Sequence, residues 1–456
     1  MKNMKLLRID TSLFSLTDSN GTMNLFALAI PLFFQQIFNI LLGTVNTVVL
    51  THVSDDAVTA VNVANTVLNI PVILLMMSTQ GLLILLSFAL GKGDESTGDL
   101  YVTSVAANVG LSIVVSIILC VAAPSFMQMM NLSGDVALQA VKYFRIRSIF
   151  LIFQALTTCL TSVLRAHGFA KSTMVSGIIT NAVNAGLSVL VVSNLIFASD
   201  KIAGVAFAAV LGQVAGLAYA YIALRFNRQI DRKGKVRFIL LKKMLQIGVP
   251  SGLSLLMYNV STMVSTAILT SLGTQILRTK IYVANIANFG YLFGYAIAQS
   301  AALMIGRHNG ASKYNTAKRL FHLIAFMVPM LNAAFAFVIF INSNYLMQIF
   351  KADEQMMLLA HTIFLIDIAV EIARGNTHVG ENALCSVGDT MYTSIVSILS
   401  CLFINILGCW LFCLKLGLGV YGYYIVSLLD EGTRGILYHI RWNKGAWTEK
   451  LKSLYS

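Results

Sequence analysis

The chain has 456 residues, 57% of them apolar and only 11% charged, with a mean hydropathy of +0.77. Soluble proteins carry about 25% charged residues, so a soluble multidomain enzyme is excluded and a bilayer is the solvent that fits. The net charge of +13 would suit nucleic acid on a soluble protein, but no nucleic-acid partner is expected here, because the basic residues sort by loop.

Residues 1–22, MKNMKLLRIDTSLFSLTDSNGT, are polar and charged. Their apolar content is too short and broken for a cleavable signal peptide, and they are read as a cytoplasmic tail. Apolar runs long enough to cross ~30 Å of hydrocarbon then predict twelve helical spans. These lie near 23–51, 58–90, 100–122, 138–165, 172–194, 203–224, 246–271, 281–306, 318–341, 356–386, 391–413 and 417–438. Span 1 carries Gln35, Asn39 and Asn46 at i, i+4 and i+11, on one helix face. Span 2 adds Asn62, Asn65 and Asn69, and span 5 adds Asn181 and Asn184. The basic segment 225–245 is a cytoplasmic linker. Beyond it, Tyr258 and Asn259 lie on span 7, and Asn285, Asn288, Tyr295 and Gln299 recur along span 8. Such amides either hydrogen-bond between membrane helices or, with the aromatics, form walls for the polar parts of an amphiphilic guest. The six cysteines have no CxxC spacing and read as small packing residues. No metal site and no cofactor are expected.

An even number of spans puts both termini on one side. Of the 32 Lys and Arg, 22 fall in the tails, loops and span ends of that side and 8 in those of the other, leaving only Arg374 and Arg434 in the middle of spans. The positive-inside rule makes that side cytoplasmic. The chain also repeats itself. Pro31 pairs with Pro250, Val63-Ala64-Asn65 with Val283-Ala284-Asn285, Gln80 with Gln299, Gly168 with Gly388 and Asn184 with Asn405, at offsets of 219 to 221. The fold class is therefore an all-α membrane protein, twelve transmembrane helices in two six-helix parallel repeats around a central cleft. The N-lobe is 23–224 with helices 1–6, the C-lobe 246–438 with helices 7–12, and 439–456 a cytoplasmic C-terminal tail.

The openings of the two halves resemble the MATE (multidrug and toxic compound extrusion) family. The resemblance rests on Pro31, the stretch THVSDDAVTAVNVAN from Thr51 and GKGDES from Gly91. It rests also on VLRAHGFAKSTM at Val163–Met174 and LCSVGDTM at Leu384–Met391. Glu371, Arg374 and Asn376, and LLDEGTRGILYHIRWNKGAW from Leu428 to Trp447, are similar to a bacterial branch. The resemblance implies a cation-coupled exporter of amphiphilic, often cationic, molecules in the bacterial cytoplasmic (inner) membrane. It also implies acids on spans 1, 5 and 7, where this chain has Asn46, Ser188 and Tyr258 instead.

The spans of the first half contain no carboxylate. Charge is concentrated on span 10, DIAVEIARGNTHVGE, where Asp367, Glu371, Arg374, His378 and Glu381 fall at i, i+4, i+7, i+11 and i+14. That is one stripe roughly 21 Å long. An ionised side chain facing lipid at mid-bilayer costs at least ~2.5–3.5 kcal/mol, so the stripe needs a partner helix or a wet cavity. Span 12 offers Asp430, Glu431 and Arg434. Two readings stand: a static lock between two helices, or a coupled acid that exchanges a proton or holds sodium. Acids outnumber arginines, which favours exchange, with Glu371 first and Asp367 second, Arg374 tuning them and His378 a lesser candidate.

The expected function is a cation-coupled (proton or sodium) antiporter that exports amphiphilic organic molecules by alternating access, acting as a monomer in membrane lipid. Gln35, Asn39, Asn46, Asn65, Asn69, Asn184, Tyr258, Asn259, Asn285, Asn288, Tyr295 and Gln299 are the expected substrate-binding set. The alternatives are a flippase for a lipid-linked or amphipathic precursor and, in another class, an intramembrane enzyme, for which no HExxH or GxSxG motif is present.

Overall fold

The computed structural model describes residues 11–18, 21–94, 96–130, 132–227 and 229–448. Their helices are α1 (Leu25–Thr51), α2 (Asp55–Lys92), α3 (Thr97–Met129), α4 (Gly134–Ile149), α5 (Leu151–Ala166), α6 (Ala170–Val192), α7 (Lys201–Phe226) and α8 (Phe238–Thr270). Then follow α9 (Thr274–Gly310), α10 (Tyr314–Ile341), the short α11 (Ser343–Ile349), α12 (Glu354–Ser386), α13 (Thr390–Ser400), α14 (Leu407–Cys409) and α15 (Gly419–Asn443).

Nine spans among the described residues are long and apolar enough to cross a membrane on hydropathy alone. A tenth is the pair α4 and α5, bent by 47°. α1, and α15 with its Asp430, Glu431, Arg434 and Arg441, complete the twelve. No proline causes the bend between α4 and α5. Ser116 Oγ donates to the Ser148 carbonyl oxygen at 2.7 Å, and a side chain inserted into the helical ladder is a recognised cause of kinks. Span 11 is not one regular helix either. α13 runs into π-helical turns at Cys401–Ile406 and Trp410–Lys415 on either side of α14.

Helix starts follow their capping residues. Asn24 Oδ1 accepts from Phe26 N at 3.0 Å, Asp200 Oδ1 from Ala203 N at 3.1 Å and Asp353 Oδ1 from Met356 N at 2.7 Å. The repeat is visible in the turns. Gly168 (φ +92°) donates to the Arg165 carbonyl at 2.9 Å, and Gly388 (φ +79°) to the Cys385 carbonyl at 2.9 Å. Both positions need the left-handed backbone that glycine supplies.

Two compact units emerge. One comprises Phe34–Ala89 and Asp94–Gly252, the other Met1–Phe33, Leu90–Gly93 and Leu253–Ser456. The first has its core among α2, α3, α4 and α7, with Ala57, Val61, Ala64, Leu68, Leu119, Phe144 and Val205 all buried. In the second, the stretch read as a polar tail contains a hairpin. β1 (Ser15–Asp18) pairs antiparallel with β2 (Gly21–Asn24), Leu16 and Met23 are buried opposite each other, and Phe14 meets Phe26 edge-on at 5.4 Å.

Within the second unit α12 packs against α15, α10 and α9, and small residues set the distances. A Cβ on Gly375 would stand 2.9 Å from Pro329 Cα of α10, and one on Gly435 3.3 Å from Thr377 N. Small residues at such crossings let membrane helices approach closely. Gly375→Val is therefore expected to abolish the monodisperse peak in detergent size-exclusion chromatography. Gly432→Val, on the open side of α15 with nothing within 4 Å, should leave that peak unchanged.

Candidate functional site

The acidic stripe of α12 turns inward. Asp367 is 2% exposed and Glu371 fully buried, while on α15 Asp430, Glu431 and Arg434 are 2, 6 and 5% exposed. Arg374 forms an ion pair with Glu371 one turn back, and its Nε lies 3.7 Å from Glu431 Oε1 on α15. Arg434 Nη2 completes the chain at 2.8 Å from Asp430 Oδ2 and 3.0 Å from Glu431 Oε1. One arginine thus reaches across to the other helix's acid, and the second arginine holds both acids of its own helix. Helical spacing explains this pattern, because residues three and four apart share a face.

Neutral side chains fix the acids. Ser400 Oγ donates to Asp430 Oδ1 at 2.5 Å, and Thr377 Oγ1 to the Glu431 carbonyl oxygen at 2.6 Å. Asn332 of α10, fully buried, donates from Nδ2 to the Glu371 carbonyl oxygen at 3.3 Å and to Oε2 at 3.4 Å. The Arg374 guanidinium sits over the Tyr291 ring at 5.1 Å. His378 lies against Tyr295 and Tyr291 at 4.7 and 5.8 Å between ring centroids. Polar capacity remains unused among the described residues. Asp367 Oδ1, Glu431 Oε2, Asn332 Oδ1 and His378 Nε2 are buried with no hydrogen-bond partner among these residues, and Asp367 has no ion pair with any of them. Four carboxylates against two guanidiniums leave two negative charges uncompensated when all are ionised. Such a site can take up small cations, since buried charge without a partner is costly.

The structure brings Glu371, Arg374, Asp430, Glu431 and Arg434 together in one chain of ion pairs, with Asp367 buried one turn from Glu371. Glu381 is half-buried and outside the ion-pair chain. Asn332, Thr377, Ser400 and Tyr291 were missed: Asn332 is a lone amide in an apolar run, whereas Thr377 lies within the charged stripe itself, Ser400 follows Ser394 and Ser397 at a spacing of three, and Tyr291 precedes Tyr295 by one turn.

The expected substrate-binding residues do not converge in the same way. Asn39 Oδ1 accepts from Asn181 Nδ2 at 2.9 Å, and Gln35 lies over Gly177, so both belong to a seam between α1 and α6. The side chain of Asn46 lies outside the described residues. Asn65 and Asn184, together with Asn62 and Tyr143, line a cavity of about 170 Å³. Asn69 is exposed. In the other unit Tyr258, Asn259, Asn285 and Asn288 are exposed, and Asn259 Nδ2 is spent on the Leu255 carbonyl at 2.8 Å. Gln299 is half-buried, and Tyr295 joins the charge network through His378.

Two related sets of spans with a buried, acid-rich network in one of them define a helical membrane protein of the transporter class. The chain belongs to the MatE family, whose model matches residues 31–190 and 250–411, once in each half. An uncharacterized transporter of Bacillus subtilis, YisQ, is 28% identical over 95% of this chain and 96% of its own. The probable multidrug resistance protein NorM of Thermotoga maritima is 20% identical over 93% of both chains. Among solved structures, an outward-facing multidrug resistance MATE family transporter of the MOP superfamily superposes with a TM-score of 0.84. It does so at 15% identity, over 95% of this chain and 96% of that one. A MOP superfamily transporter from Pyrococcus furiosus, for which reversed polarity of the binding pocket suggests a different function, gives 0.83 at 16% identity, over 95% and 96%. The fold is thus that of the MATE transporters, embedded in a membrane.

Proposed function

We propose that the protein is a cation-coupled antiporter of the bacterial cytoplasmic membrane, with both termini cytoplasmic. It exports amphiphilic organic molecules as a monomer by alternating access, in exchange for protons or sodium. The observation that carries this reading is the acid excess of the α12–α15 network, with Asp367 lacking an ion-pair partner among the described residues and Glu371 one helical turn away. The multidrug name of the relative from Thermotoga maritima supports the substrate class.

In this reading the cation compensates Asp367 and Glu371. Arg374 lies between Glu371 and Glu431, so a small displacement of α12 along α15 changes which acid it neutralises. Cation loading and helix arrangement then depend on each other, as coupling requires, because a ligand shifts a conformational equilibrium only through its differential affinity for the two states. His378, packed on two tyrosines, holds the outer edge of the network, and Asn332 fixes the Glu371 carboxylate.

The test is efflux from proteoliposomes of a panel of cationic and neutral amphiphilic dyes, under separately imposed proton and sodium gradients. One of the two gradients is expected to drive movement against the substrate's own gradient. Failure of both gradients to move any of the dyes would overturn the proposal.

A further inference from the structure

The linker between α7 and α8, residues 227–237, reads NRQIDRKGKVR, with five basic residues and a single acid, Asp231. So charged a segment ordinarily stays unordered, yet this one is tied along the first turns of α3. Lys235 N donates to Asp99 Oδ1 at 2.7 Å and Arg237 N to Thr103 Oγ1 at 3.0 Å, and the Arg237 side chain forms an ion pair with Asp99. Gly98 and Gly234 let the two backbones meet, with no room for a Cβ on either. Asp231 Oδ1 accepts from Lys233 N at 3.0 Å, and Arg232 Nη1 donates to the Arg225 carbonyl oxygen at the end of α7, at 3.2 Å. Ile230 is buried beneath. All these residues belong to the unit of Phe34–Ala89 and Asp94–Gly252.

The seam consumes acid and leaves base. The Asp99 side chain is 13% exposed and already paired. Arg225, Lys233, Lys235 and Lys242 are exposed and enter no ion pair among the described residues. Large apolar side chains are interleaved with them in sequence, Phe226, Val236, Phe238 and Ile239, at 81, 61, 79 and 57% exposure. Phe226 closes α7 and Phe238 opens α8, so the two mark where the chain leaves the hydrocarbon and re-enters it. Apolar groups beside bases suit the membrane interface, where the former enter the acyl region and the latter reach lipid phosphates. The positive-inside rule asks only for charge on that side. It asks neither for a pinned backbone nor for apolar neighbours. A soluble anion would satisfy the bases and leave the phenylalanines in water, and a zwitterionic lipid would bring an ammonium group to the lysines.

We infer that this strap is a binding surface for anionic phospholipid. Lys233 and Lys235 hold the phosphate, Arg225 and Lys242 add charge from the flanking helices, and Phe226 and Phe238 lie among the acyl chains. The binding does not depend on which cation or substrate the protein moves.

The full-length protein in neutral detergent is titrated with dioleoylphosphatidylglycerol or dioleoylphosphatidylcholine, and bound lipid is counted by native mass spectrometry. Each Lys or Arg near an anionic surface is worth roughly fivefold in affinity. The anionic lipid is therefore expected to bind at least about tenfold more tightly than the zwitterionic one, and Lys233→Gln/Lys235→Gln to lose at least about tenfold. Lys233→Arg/Lys235→Arg should bind as the wild type does. Lys313→Gln/Lys318→Gln, which removes equal charge between α9 and α10, should lose less than about threefold. Glycerol phosphate, the headgroup chemistry without tails, should not displace the lipid. Equal affinity of the wild-type protein for both lipids would overturn the inference without any variant. Equal losses in the two glutamine pairs would overturn it by showing diffuse charge alone, and displacement by glycerol phosphate by showing a site for free phosphate.

Discussion

Replacing Arg434 by leucine is expected to destabilise the protein by about 3–5 kcal/mol, the usual cost of removing one partner from a buried ion pair. Arg434 is 5% exposed and is the sole ion-pair partner of Asp430 among the described residues, and it also reaches Glu431 at 3.0 Å. Its loss leaves Asp430 held only by the Ser400 hydroxyl. The origin of the cost is open to a direct check. In the double variant Arg434→Leu/Asp430→Asn the orphaned charge is gone, so at least half of the loss should return. Arg374→Leu should cost less, because its side chain is 19% exposed and water can share the compensation. Unfolding curves in detergent, followed by circular dichroism or tryptophan fluorescence, measure all three. A double variant no more stable than Arg434→Leu alone would show that the lost stability came from packing, not from charge.

Glu371→Gln is expected to reduce uphill accumulation to the level of empty vesicles while leaving expression and downhill counterflow intact. The amide keeps the shape of the carboxylate and can still meet Asn332, but it offers no charge for a cation. Arg374 retains Glu431 as a partner at 3.7 Å, so the helix pair need not come apart. Asp367→Asn should behave alike, and the assay that checks both is accumulation of a labelled substrate beside its exchange at equal concentrations. Near-normal accumulation by both variants would remove these acids from the coupling site. Loss of counterflow together with accumulation would instead mark Glu371 as a substrate contact.

Much of this was legible in the sequence because hydropathy and spacing are strong signals. Twelve spans followed from apolar runs, and α15 was found although its charges hide it from hydropathy. The inward turn of α12 followed from spacing, because Asp367, Glu371 and Arg374 share a face that lipid could not accept. The pairing within the cluster was not legible. Spacing could not tell that Arg374 serves Glu371 and Glu431 while Asp367 is left over, since that depends on the rotation of α15 against α12. Asn332 sits alone in an apolar helix and has no periodicity, and Ser400 belongs to a row of hydroxyl residues, Thr393, Ser397 and Ser400, that points to no particular partner. The α4–α5 bend falls where Ser116 of another helix takes the Ser148 carbonyl oxygen, a tertiary contact that no local sequence pattern carries. The N-terminal hairpin was overlooked because its few apolar residues, Leu16 and Met23 among them, are set in a polar stretch.

The most direct test of the α12–α15 network as the coupling site reads the cation itself. Proteoliposomes holding a trapped pH indicator, and a parallel set loaded with labelled sodium, are given substrate with no ion gradient imposed. The wild-type protein is predicted to move one of the two cations opposite to the substrate. The Asp367→Asn/Glu371→Gln variant is predicted to exchange substrate without moving either. Substrate-dependent cation flux of wild-type size in that double variant would contradict the account.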